Sequence, residues 1–160
     1  MSPAFPSGVH AVFDHAAHAA QSIRELLPLY AEQLGGQFLY GGDNVRVGYK
    51  GVVLGFEGGG KVELLEPLPD SSFFDSFFAR NPLGGLHHLT FRVADLADSV
   101  ARAVAGGFEL IGENHDIPDW REAFVHPRAA HGVLIQFVQS PPDYPRRDSG
   151  DTLASVLSAD

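Results

Sequence analysis

The stretch LHHLTFRVAD, residues 86–95, repeats the pattern of FDHAAHAAQS, residues 13–22, at an offset of 73 positions. Each copy begins in a run of alternating polar and apolar residues, which is typical of a β-strand. Each run leads into an N-cap residue, Ser22 or Asp95, with an acidic residue three positions later. Both copies therefore predict a strand, over residues 11–18 and 86–93, followed by the start of a helix.

The sequence after each predicted helix contains extended runs. Glycine pairs end both helices, and Pro28 predicts a kink in the first of them. The runs in the first half are QFLY, then NVRVGY with GVVLGFE, then KVELLEP; those in the second are FELIGE, REAFVH and GVLIQFV. Each half therefore predicts a βαβββ module, and the chain an α+β fold with two tandem modules.

Composition shifts divide the chain further. DSSFFDSFFARNPLGG separates the halves and predicts a linking helix with Asp70 as its N-cap and a cluster of Phe side chains that seals the gap between the modules. After Ser140 the sequence is rich in Pro and charge, which predicts a surface tail with a short helix at residues 152–157. The predicted domains are an N-terminal arm (1–10), a first module (11–68), a linking helix (69–85), a second module (86–140) and a tail (141–160).

The overall composition restricts the possible functions. The 160 residues include 11 Lys and Arg against 20 Asp and Glu, a formal charge of -9, which disfavours nucleic acid as a partner. The chain has no Cys, so a thiolate nucleophile and a Cys-ligated metal are excluded. Its apolar runs are shorter than a membrane span, and the first ten residues do not match a secretory signal. We therefore expect no membrane partner and a cytoplasmic protein.

Four polar residues stand at equivalent places in the two halves. His15 to Glu63 and His88 to Gln136 each span 48 positions. Two imidazoles, a carboxylate and an amide suit a divalent first-row ion and leave two coordination positions for substrate oxygens. The alternative is a set of polar residues satisfied within a cleft without metal. The repeated spacing favours the metal site, because a buried carboxylate beside two His is costly without a cation.

The segments FDHAAHAA, KVELLEPL, GGLHHLTFRVADL and AFVHPRAAHGVLIQFV resemble the vicinal oxygen chelate superfamily, with glyoxalase I and methylmalonyl-CoA epimerase as the nearest enzymes. The likeness covers about residues 11 to 140. It implies a cupped, barrel-like mixed sheet with the site between the modules, and one divalent ion (Co, Mn, Ni, Zn or Fe). The metal ligands that it implies are His15, Glu63, His88 and Gln136. A homodimer is compatible with it, as is a complete cleft within one chain.

The chain departs from the epimerase pattern at two acid or base positions. Epimerases usually carry a Glu where this chain has Gln136, and the position of a second Glu is occupied by Arg46, Val47 and Tyr49. Candidate replacements are Glu63, which would then be both ligand and base, and Glu122 and Tyr49, which the 73-residue offset relates to each other. The alternative for Glu122 and Tyr49 is a surface role on edge strands.

The leading hypothesis is an enzyme: a divalent-metal-dependent isomerase or lyase of the glyoxalase or methylmalonyl-CoA epimerase type. It would transfer a proton next to a carbonyl through a metal-chelated enolate, on a small molecule such as an acyl-CoA or a hydroxycarbonyl compound. The main alternative is a non-catalytic protein that binds a small molecule, such as an antibiotic, and confers resistance. A ring-cleaving dioxygenase is less favoured because Gln136 stands where that branch needs a Glu.

Overall fold

The computed structural model describes residues 8–144 and 150–158. These form two compact units. We call residues 15–87 with 150–158 the first unit, and residues 8–14 with 88–144 the second unit. Part of the predicted arm (residues 1–7) and part of the predicted tail (145–149 and 159–160) lie outside the described residues. The division of the chain into five predicted segments stays a prediction.

The elements follow the predicted doubled order. The eight strands are β1 (Ala11–Ala19), β2 (Gln37–Asn44), β3 (Tyr49–Gly55), β4 (Lys61–Pro67), β5 (Gly85–Val93), β6 (Leu110–Asn114), β7 (Arg121–Val125) and β8 (Leu134–Gln139). The α-helices are α1 (Ile23–Leu27), α2 (Asp75–Arg80), α3 (Leu96–Ala105) and α4 (Leu153–Ser158). None of these described helices has the length and apolar character that crossing a membrane requires.

The two units have the same strand order. In the first unit the order is β2-β3-β4-β1, and in the second it is β6-β7-β8-β5. Neighbouring strands are antiparallel except for the pairs β1 with β4 and β5 with β8, which are parallel. This mixed pairing, with few helices, confirms the predicted α+β class.

Both predicted helix starts are confirmed by their caps. The Ser22 hydroxyl accepts from the Arg24 backbone N–H, and the Asp95 carboxylate accepts from the Asp98 N–H. At Pro28 the α-helix gives way to a π-helical segment, Pro28–Gln33, because proline has no N–H to donate. The kink predicted at Pro28 is therefore a widening of the helical turns.

Three local predictions are wrong. The run that follows Asn44 is a turn and not a strand: the Asn44 side chain accepts from the Val47 N–H, and Gly48 has φ +104°. Asp70 does not cap the linking helix. It has φ 60° and precedes α2, whose first residue is Asp75. The short helix at the end of the chain is also not a surface tail, since Val156 and Leu157 are buried.

In each unit helices pack on one face of the strands, α1 and α4 in the first unit and α3 in the second. In the first unit the buried residues of this core come from α1, β3, β4 and α4: Ile23, Val52, Leu54, Leu64, Val156 and Leu157. In the second unit α3 packs on β5, β7 and β8 through Val93, Leu96, Ala103, Ala123, Val125 and Phe137. Because strand residues alternate between faces, the remaining positions of each sheet face the other way. These include His15, Glu63, His88 and Gln136.

Candidate active site

The first unit brings His15 and Glu63 together. In the parallel pair of β1 and β4, Glu63 is in register with Ala17, so His15 lies on the same face two residues earlier. The distance from His15 Nε2 to Glu63 Oε2 is 3.3 Å. The His15 side chain is only 3% exposed and that of Glu63 17%. An imidazole nitrogen and a carboxylate oxygen are thus placed side by side with little access to water.

Gly51 on the neighbouring strand provides room for this carboxylate. Antiparallel pairing sets Val53 opposite Glu63, which places Gly51 on the same face. A Cβ atom at Gly51 would lie 3.0 Å from Glu63 Oε1, closer than an ordinary van der Waals contact. The small residue at this position therefore lets the Glu63 carboxylate adopt its observed position.

Tyr49 lies in an aromatic cluster. Its ring contacts Phe73 and Phe74 with centroid distances of 5.6 and 6.4 Å, and its hydroxyl accepts from the Asn44 side-chain amide. Phe74 is 1% exposed and packs with Ala17, Ala19 and Leu65. These contacts lie within the first unit, and the predicted sealing of the gap between the modules stays a prediction. The edge-strand alternative for Tyr49 is wrong, because β3 lies between β2 and β4.

Two further His residues of the first unit have partners away from the His15–Glu63 pair. His18 Nδ1 lies 2.9 Å from the Tyr30 hydroxyl, and burial lowers the pKa of His18. The His87 ring packs against Phe73, Phe74 and Phe77 at centroid distances of 5.1 to 6.1 Å. Neither of these contacts involves His15 or Glu63.

The second unit buries His88, Thr90 and Gln136. Thr90 and Gln136 are paired in register between β5 and β8, and the Thr90 hydroxyl donates to Gln136 Oε1 at 2.6 Å. Thr90 was not among the site residues predicted from the sequence. The signal was available, because Thr90 follows His88 by two residues and so shares its face of the strand.

Glu122 is connected to Gln136 within the second unit. Gln136 Nε2 donates to Glu122 Oε2 at 2.8 Å, and Trp120 Nε1 donates to the same oxygen at 2.9 Å. The strand of Glu122, β7, lies between β6 and β8, so the edge-strand alternative is wrong here as well. Gln136 thus joins Thr90 on one neighbouring strand to Glu122 on the other within the second unit.

Comparison with known proteins places the chain in a family. A family model described as "Glyoxalase/Bleomycin resistance protein/Dioxygenase superfamily" matches residues 14–124. The mitochondrial methylmalonyl-CoA epimerase of Dictyostelium discoideum is 30% identical over 125 residues, which cover 77% of this chain and 75% of that protein. An ethylmalonyl-CoA/methylmalonyl-CoA epimerase of Cereibacter sphaeroides is 35% identical over 86 residues, 49% of this chain and 61% of that protein.

Solved structures give the same result. Methylmalonyl-CoA epimerase from Mycobacterium tuberculosis superposes with a TM-score of 0.72 and 27% identity, covering 82% of this chain and 89% of that one. A methylmalonyl-CoA epimerase in complex with methylmalonyl-CoA and NH4+ superposes with a TM-score of 0.71 and 25% identity, covering 82% and 96%. The named relatives are enzymes, which confirms the prediction of an enzyme of epimerase type. The chain belongs to the glyoxalase, bleomycin resistance protein and dioxygenase superfamily, the vicinal oxygen chelate family that its repeated motifs resemble.

Proposed function

We propose that this protein is a divalent-metal-dependent epimerase that acts on methylmalonyl-CoA or a closely similar acyl-CoA thioester. The observation that carries the proposal is the close pair of the buried His15 and the partly buried Glu63, with 3.3 Å between Nε2 and Oε2, in a chain whose named relatives are methylmalonyl-CoA epimerases. The substrate class is supported by the structural relative that holds methylmalonyl-CoA.

The donor atoms fit a divalent first-row ion. Imidazole nitrogen suits Zn, Co, Ni and Fe, and a carboxylate adds the negative charge that a divalent cation requires. His15 and Glu63 of the first unit and His88 of the second carry donor atoms of these two kinds, at positions that the family resemblance predicts as ligands. We therefore propose these three residues as metal ligands.

The reaction is a proton transfer at the carbon between the thioester carbonyl and the carboxylate of the substrate. A bound divalent ion would supply positive charge to stabilise the negative charge that develops on the substrate oxygens. His15, His88 and Glu63 would hold that charge in place, and the low exposure of their side chains would limit its screening by water. Return of a proton to the opposite face of the carbon completes the inversion.

Several narrower predictions accompany this proposal. A lyase reaction of the glyoxalase type, a hydroxycarbonyl substrate, a homodimer and a cytoplasmic location stay predictions from the sequence. The non-catalytic binding protein remains the alternative that the experiment below must exclude.

The test combines metal analysis with proton exchange. The protein is dialysed against a chelator, reloaded separately with Co, Mn, Ni, Zn or Fe, and analysed for bound metal. Each form is then incubated with one epimer of methylmalonyl-CoA in D2O, and both inversion and deuterium at the reacting carbon are measured. We expect about one ion per chain, with inversion and deuterium incorporation that depend on it.

Two matched variants make the test specific. His88→Ala should lose the ion and the exchange, because it removes one imidazole ligand. His115→Ala should retain both, since His115 is exposed and contacts Glu113. Tight binding of the thioester without deuterium incorporation in any metal form would contradict the enzyme and favour the binding protein.

A further inference from the structure

The second unit contains a chain of hydrogen bonds that ends at a carboxylate. Gln136 is in register with Thr90 on one neighbouring strand and with Phe124 on the other. Glu122 precedes Phe124 by two residues, so Thr90, Gln136 and Glu122 share one face of the sheet. His88 lies on that face as well, two residues before Thr90.

The chemistry of the partners fixes the orientation of the Gln136 amide. An ionised carboxylate only accepts hydrogen bonds, so the amide nitrogen of Gln136 must face Glu122. The amide oxygen then faces Thr90, whose hydroxyl donates to it at 2.6 Å. The protein therefore uses both ends of the Gln136 amide, and a flipped amide would lose the hydrogen bond to Glu122.

Trp120 adds a second constraint on Glu122. Its indole N–H and the Gln136 amide both donate to Oε2, so among the described residues two donors hold the same carboxylate oxygen. The Trp120 ring packs against Tyr144 at a centroid distance of 5.2 Å. The pKa of Tyr144 is raised, chiefly by burial and further by the negative charges of Asp119 and Glu122. A neutral aromatic pair thus borders the Glu122 carboxylate.

We propose that Glu122 is the proton-transferring base of this enzyme, and that Gln136 is a positioning residue that holds Glu122 and does not bind the metal. The inference rests on the proposed epimerase function. It explains why the second unit has an amide at the position where the first unit has Glu63: a carboxylate at residue 136 would repel Glu122 at 2.8 Å. The carboxylate oxygen Oε1, which Trp120 and Gln136 do not contact, takes the proton.

The inversion moves protons between Glu122, the substrate carbon and one water molecule. Glu122 takes the proton from the substrate carbon, and the electron pair of the C–H bond moves into the enolate. A water molecule gives a proton to the opposite face of that carbon. The hydroxide so formed takes the proton from Glu122, which restores the carboxylate and the water.

The first variant removes the base itself. Glu122→Gln should lower kcat for inversion and for deuterium incorporation about 100-fold or more, the usual contribution of a positioned base. KM for methylmalonyl-CoA and the amount of bound Co2+ should stay unchanged. Glu113→Gln is the matched control, because Glu113 is an exposed glutamate of the same unit and contacts His115. Its kcat, KM and Co2+ content should equal those of the unaltered protein.

Two further variants test the positioning role. Gln136→Met keeps the length of the side chain but loses both hydrogen bonds, and it should lower kcat about 10-fold without weakening Co2+ binding. Thr90→Val is nearly isosteric, loses only the bond to Gln136 and should have a smaller effect of the same kind. Thermal unfolding of both variants identifies any general loss of structure, and Thr90→Val keeps the test valid if Gln136→Met does not fold.

The outcomes separate this inference from the proposed function. Full exchange activity in Glu122→Gln, or a loss of bound Co2+ in Gln136→Met like that expected for His88→Ala, overturns the inference and leaves the epimerase standing. An unaltered protein that binds no Co2+ and exchanges no proton overturns the proposed function, and the inference with it.

Discussion

The two units place different chemistry at equivalent positions of the same βαβββ pattern. In the first unit the candidate face carries His15 and Glu63, with Gly51 leaving room for the carboxylate. In the second unit the equivalent of Glu63 is Gln136, which is held by Thr90 and Glu122. The backbone therefore determines which residues face the site. The neighbours of each polar group then determine its hydrogen bonds, as Thr90 and Glu122 do for Gln136.

The helix-bearing faces of the two units also differ. In the second unit a single ten-residue helix, α3, covers the sheet. In the first unit α1 has only five residues before Pro28, and Ile23 is its one buried residue. Val156 and Leu157 of α4 complete that core. A helix shortened by proline is thus supplemented by a segment from the other end of the chain.

The largest expected effect comes from making the first unit resemble the second. Glu63→Gln removes the charge beside His15, and we expect Co2+ affinity to fall about 100-fold, roughly 2.7 kcal/mol. Titration followed by Co2+ absorbance measures it. Glu66→Gln on the same strand is the control, because the Glu66 carboxylate accepts from the Ile23 N–H and a Gln oxygen can replace it. Equal losses in the two variants would contradict the proposed ligand role of Glu63.

An intermediate effect, on stability, is expected in the first unit's core, to which α4 contributes. Leu157→Ala removes a side chain that packs in this core, and the free energy of unfolding should fall by about 2 kcal/mol. Val104→Ala on α3 is the control, since Val104 is 55% exposed, and should change it by less than about 0.5 kcal/mol. Urea denaturation measures both. A Leu157→Ala variant as stable as Val104→Ala would show that α4 contributes little to the core.

The smallest effect on Co2+ affinity is expected from a substitution at Gly51, which lies beside Glu63 in the first unit. Gly51→Ala places a Cβ 3.0 Å from Glu63 Oε1 and should displace the carboxylate, lowering Co2+ affinity up to about tenfold. Gly42→Ala is closely matched, because Gly42 pairs with Gly51 and its Cβ would meet no atom within 4 Å. Isothermal titration with Co2+ compares them. Unchanged affinity in Gly51→Ala would show that the carboxylate tolerates the methyl group.

Much of the fold was predictable from local signals. Ser22 and Asp95 cap helices as their sequence patterns indicate, because capping depends on residues within one turn. The repeated spacing selected His15 and His88, and both are buried. The predictions failed at Asp70 and for the strand after Asn44, where nearby Asp, Asn and Gly residues form turns that composition alone does not locate.

The repeat, the family resemblance and the equivalent positions of His15, Glu63, His88 and Gln136 could be read from the order of residues alone, because they depend on that order and on the period of a strand. The tertiary structure decided which side chains meet. It joined Gln136 to Glu122, which are 14 residues apart, and it buried Leu157 against the core of the first unit. Such contacts depend on strand register and on packing between distant segments. Neither is encoded in any single stretch of the sequence.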